Sequence, residues 1–185
     1  MSLVTIYVVI ERVLALNRAG REDKDFMSKI RDYVHEGKLD SARNLCAQSA
    51  SPSARMVEKG LQRMGKPVKE IESAMESAGR IELTRLEKGV GLLRLTARLA
   101  PMFGFIGTII GVIKIFYDIS LTDNISIAVI STGLYQKMVT SAGGLIVGIV
   151  AFAGYHLVTS MVEGVTDKME RTSLAFLDLL QEPTK

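Results

Sequence analysis

The chain has no tryptophan, one cysteine and four prolines in 185 residues. A single cysteine, Cys46, makes no internal disulfide, and its place in a charged stretch fits a reducing cytoplasm. It reads most simply as a small buried apolar residue. With 48% hydrophobic residues the chain is neither disordered nor collagen-like. No glycine loop ends in Gly-Lys-Ser/Thr, and no His-Glu-x-x-His occurs. The two histidines, His35 and His156, stand too far apart to form a metal cluster with one cysteine. These absences leave no catalytic constellation, so neither an enzyme, a metal site nor a cofactor is expected.

Charge is scarce in the second half. Residues 11–98 hold 31 charged side chains, whereas residues 99–185 hold 12. The first block carries 18 bases and 13 acids, interleaved along the chain. Such mixing reads as solvated helix faces and not as a nucleic-acid footprint. A charged block followed by an oily one suggests a membrane protein.

A spanning helix needs about 20 mostly apolar residues. Met138 to Val162 is a run of 25 residues without Asp, Glu, Lys or Arg. Leu99 to Tyr117 is a run of 19 with one charge, Lys114, near its far end. Lys114 can snorkel to the interface, or serve as an anion site or salt-bridge partner. Leu3 to Ile10 is apolar but too short to span alone, and nothing about it resembles a secretory signal. It reads as the tail of a first crossing whose beginning lies upstream. Arg85, Lys88, Arg94 and Arg98 precede the second crossing, and Lys168 and Arg171 follow the third. Residues 118–136 contain no Lys or Arg. The charged block and the C-terminus are therefore expected in the cytoplasm, with the loop near Leu121 to Ser126 outside.

The expected organisation is all-α: a polytopic membrane protein with three transmembrane helices and long cytoplasmic helical extensions. Residues 1–10 end the first transmembrane helix, and 11–98 form a cytoplasmic helical domain. The second transmembrane helix covers 99–117. Residues 118–136 make a short periplasmic loop and begin the third helix, which crosses at 137–162. A cytoplasmic helix follows at 163–185. Within the charged block, helices are expected over Asp25–His35, Leu39–Ala50 and Ser53–Met64, with Gly37 and Gly65 as stops. A further helix from Val68 is expected to run through Leu99 into the second crossing.

Helical spacing puts Pro101, Gly104, Thr108, Gly111 and Ile115 on one face of the second crossing. Ser141, Gly144, Gly148, Ala151 and Tyr155 share a face of the third. Small residues at this spacing allow close helix packing in lipid. The hydroxyls of Thr108, Thr140 and Ser141 either bond back to their own helices or line a wet path. Neither complete crossing contains Asp or Glu. Any proton path must then take its titrating acid from another chain. His156, near the end of the third crossing, suits an interfacial hydrogen bonder better than a relay.

Leu99 to Val112, LAPMFGFIGTIIGV, carries A-P-x-x-G-x-x-G-T-x-x-G and resembles the second span of the MotA/TolQ/ExbB proton channel family. Ile130 to His156, with its Thr-Ser-Ala-Gly-Gly-Leu core, resembles the third span, and the order of segments matches as well. Within the family the chain looks most like ExbB, with TolQ the close rival. The resemblance implies an inner-membrane subunit, assembled as a pentamer, that uses the proton motive force. The implied partners are a single-span ExbD-like protein supplying a membrane aspartate, and a TonB-like protein. Carried over by position, Thr108 and Ser141 match pore-facing hydroxyl positions, with Thr140 beside Ser141. Gly104, Gly107, Gly111, Gly144 and Gly148 match the small-residue positions, and Pro101 the family proline. Gln136 stands where glutamate is frequent and His156 where asparagine is frequent. A passive membrane scaffold is the reading that competes with a channel.

Overall fold

The structure, a computed structural model, describes residues 2–21, 25–122 and 127–181. Every regular element among the described residues is an α-helix: α1 (Ser2–Ala19), α2 (Phe26–His35), α3 (Leu39–Gln48), α4 (Pro52–Leu61), α5 (Val68–Leu86), α6 (Val90–Thr122) and α7 (Ile127–Gln181). They form two compact units. One comprises Met1–Ile10 and Gly89–Leu157, the other Glu11–Lys88 and Val158–Lys185.

The second unit is a small helical domain. Gly37 and Gly65, at φ 69° and 88°, stand behind α2 and α4. Ser51 opens α4: its hydroxyl accepts from the Ala54 N–H at 3.1 Å, and Pro52 sits in the first turn. One apolar core joins the five helical segments, with Ile30 of α2, Cys46 of α3, Leu61 of α4, Met75 of α5 and Phe176 of α7 all shut away from solvent. Gly60 makes room for Phe176, since a β-carbon there would lie 2.6 Å from the ring. At the edge of this core Glu82 is buried and receives both Arg55 Nη2 and Arg85 Nη1 at 2.6 Å. The two guanidiniums offset the cost of desolvating that carboxylate.

Burial pushes the Cys46 thiol up to about 12 from an ordinary 9.0. At pH 8 that lowers the thiolate fraction by about a thousandfold. Folded protein should therefore resist iodoacetamide at pH 8, and one thiol should react once denaturant is added. Rapid labelling of the native protein would contradict this packing.

The expected continuous helix from Val68 to Leu99 is two helices. Gly89 has φ 84° and separates α5 from α6. A side chain is strained in that conformation, so glycine sets the break. Arg12 of α1 braces it by donating from Nη1 to the Lys88 carbonyl at 3.1 Å. A cation there also complements the C-terminal end of α5.

The first unit holds the oily helices. The apolar windows of α6 and α7 have mean hydropathies of 2.0 and 1.9, yet only 17% and 28% of them is buried. A core helix of a water-soluble protein would be mostly covered. Here Phe103, Phe105, Ile110, Ile113 and Ile149 stand more than half exposed. Such a surface needs lipid or other chains against it. Of the outer loop expected near Leu121 to Ser126, Leu121 and Thr122 belong to α6, and residues 123–126 lie outside the described residues.

Candidate functional site

The site lies where α6 and α7 cross. A β-carbon on Gly148 would lie 2.5 Å from Pro101 Cγ, and one on Gly144 would lie 2.9 Å from the Gly104 Cα. One on Gly107 would be 3.9 Å from Thr140 Cγ2, and one on Gly133 would be 2.7 Å from Ile115 Cδ1. The Lys137 stem fills the notch over Gly111. Residue numbers rise along α6 as they fall along α7, so the helices run antiparallel in one fixed register. Gly104 and Gly144 bring the two backbones into contact. The small residues expected to allow close helix packing thus pack α6 against α7 within one chain.

This register divides the hydroxyls. At about 100° per residue, Thr108 flanks the α6 contact stripe on one side and Gly107 on the other. Ser141 and Thr140 flank the α7 stripe in the same manner. Thr140 lies against Gly107, so Thr108 and Ser141 share the opposite side of the pair. Val9 of α1 packs over Gly154, which falls on the Thr140 side of α7. The Thr108–Ser141 side is therefore turned away from α1.

Thr108, half-buried, donates its hydroxyl to the Gly104 carbonyl at 3.1 Å. Thr140, exposed, donates to the Gln136 carbonyl at 3.0 Å. Each hydroxyl oxygen keeps lone pairs that accept a further hydrogen bond. Bonding back to the helix and offering a polar surface are thus compatible. Ser141 is half-buried, with its backbone against Gly104.

The remaining candidates do not join this group. Lys114 is exposed, two turns from Gly107 on the same side of α6. Gln136 is exposed and meets Thr140 through its backbone. His156 is exposed and stands edge-on to Phe152, ring centres 5.3 Å apart. Reading the sequence alone passed over Lys137. It closes the uncharged run at Met138, but its stem belongs to the helix contact opposite Gly111. Only the register exposes that pairing.

Comparison with known proteins gives one consistent picture. The model of the MotA/TolQ/ExbB proton channel family matches residues 48–171. A putative biopolymer transport protein ExbB homolog of Methanothermobacter thermautotrophicus is 30% identical over 134 residues, which is 72% of this chain and 47% of that protein. The biopolymer transport protein exbB1 of Vibrio cholerae is 32% identical over 89 residues, 48% of this chain and 39% of its own. The biopolymer transport protein ExbB of Pseudomonas putida is 26% identical over 110 residues, 60% of this chain and 32% of its own. The chain thus spans about half or less of the length of these curated relatives.

Proposed function

The chain belongs to the MotA/TolQ/ExbB proton channel family, and from that premise we propose that it is an ExbB-like channel subunit of an energy-transducing complex in the inner membrane. It works with a single-span partner carrying a membrane aspartate and passes the energy to a TonB-like protein for transport across the outer membrane. Its subunits close into a ring, a pentamer, with the Thr108–Ser141 side inward. The apolar run from Leu3 to Ile10 belongs to the membrane-embedded part. Residues 11–98 and the C-terminus are cytoplasmic, as the Lys and Arg distribution favours.

One observation carries this reading: two hydroxyls share a side of a helix pair whose crossing stretches, 99–117 and 138–162, hold no Asp or Glu, and that side is turned away from α1. The chemistry follows from the hydrogen bonds. Thr108 spends its proton on Gly104, so its oxygen is left as an acceptor. A neutral aspartic acid on the partner can donate to that oxygen. An ionised aspartate has no proton to donate and can only accept, for which Thr108 must rotate and give up a bond worth about 1 kcal/mol. The hydroxyl side therefore favours the protonated partner. Loss of the proton weakens the contact and frees the partner helix to move to the next subunit.

The native mass of the complex tests the assembly. After co-expression with the single-span partner and extraction in mild detergent, a ring of identical subunits holding fewer copies of the partner is expected. A monomer or dimer without partner would favour a passive scaffold.

A further inference from the structure

We infer that the groove between the C-terminal half of α1 and the C-terminal half of α7 binds a phosphate group, that of an anionic phospholipid. The groove is open to solvent, with a volume of about 700 Å³. Three cations line it, Arg18, Arg21 and Lys168, and among the described residues no carboxylate does. Glu163 and Asp167, on the same stretch of α7, are not in the lining. Leu14, Leu16, Met161 and Val165 give it an apolar wall beside that polar rim, with Leu16 and Val165 buried. A cationic rim over an apolar wall matches a molecule that has a phosphate at one end and hydrocarbon at the other.

The rim is built, not merely crowded. Lys168 Nζ donates to the Gly20 carbonyl at 2.9 Å, which fixes the ammonium at the mouth and leaves two N–H donors. The Gly20 backbone runs along the α7 wall, since a β-carbon there would be in ordinary contact with Val165 Cγ2 at 3.6 Å. The two guanidiniums each offer a planar fork suited to phosphate oxygens. Depth agrees as well. Lys168 follows Val162, the last residue of the uncharged run, by six positions, about 9 Å along a helix. The headgroup layer extends about 5–8 Å beyond the hydrocarbon, within reach of these long side chains.

The inference needs α7 to cross the bilayer but does not depend on ion conduction. The test uses the full chain in mild detergent. Native mass spectrometry would measure retention of added phosphatidylglycerol and phosphatidylcholine, with and without competing glycerol 3-phosphate. The comparison is with the triple variant Arg18→Gln, Arg21→Gln, Lys168→Gln. Phosphatidylglycerol should be retained about tenfold better than phosphatidylcholine, and the triple variant should lose that preference. Displacement by millimolar glycerol 3-phosphate would assign the site to soluble phosphates and overturn the lipid as its ligand. Equal retention of both lipids, or a preference unchanged in the variant, would overturn the site. Carbonate washing of membranes separates this from the membrane reading. A chain that stays in the pellet without a headgroup preference fails only here, whereas a chain stripped into the wash fails as a membrane protein.

Discussion

Replacing Thr108 by valine should cut energised uptake by up to about tenfold while the complex still assembles. Valine keeps the branched shape and removes the oxygen. Packing at this half-buried position is then preserved, and only the hydrogen bond is lost. A hydrogen bond from a neutral acid contributes about 0.5–1.5 kcal/mol, so proton flux should fall by up to about tenfold. Thr108→Ser keeps the oxygen and should retain most activity. Thr140→Val removes a similar hydroxyl one position from Ser141, but on the Gly107 side, and should have little effect. Normal uptake in Thr108→Val, or equal losses in Thr108→Val and Thr140→Val, would remove the hydroxyl side from the mechanism.

Gly144→Leu should be the most damaging change to the fold of the oily unit. A β-carbon there would lie 2.9 Å from the Gly104 Cα and 2.9 Å from the Ala100 carbonyl oxygen. Both are backbone atoms that cannot rotate aside, so the helices must separate. Overpacking of this kind costs about 3 kcal/mol or more. The yield of assembled complex in detergent should collapse. Gly143→Leu is the control, because among the described residues nothing lies within 4 Å of a β-carbon at Gly143. It should leave α6 and α7 packed and the protein extractable at its usual melting temperature. Equal damage from both substitutions would mean that these glycines act between subunits and not inside one.

Much of this organisation is legible in the residues. Gly37, Gly65, Pro67 and the Ser49 to Ser53 stretch mark the ends of short helices, because each has a local backbone or capping reason to stop one. The two apolar runs stand out for the same reason that they require lipid. Gly89 was harder to read. Glycines at 79, 89 and 91 look alike in sequence, yet only Gly89 among them has positive φ, fixed by the turn that Arg12 braces. The pairing of α6 with α7 is a long-range contact, and helical period gives each helix a face without giving its partner's height. Hence Thr140 and Ser141, neighbours in the chain, could not be assigned to opposite sides. Lys137 escaped for the same reason, since its place depends on Gly111 lying opposite it.

The central claim is that the side bearing Thr108 and Ser141 faces the wet path. Cysteine accessibility tests it directly. Starting from Cys46→Ala, single cysteines would be placed at 108, 141, 107 and 140, and the complex reconstituted in vesicles. A charged, membrane-impermeant thiol reagent should label positions 108 and 141 at least about tenfold faster than 107 and 140, since thiols react as hydrated thiolates. Faster labelling at 107 and 140, or no labelling at 108 and 141, would turn this face toward lipid and contradict the account.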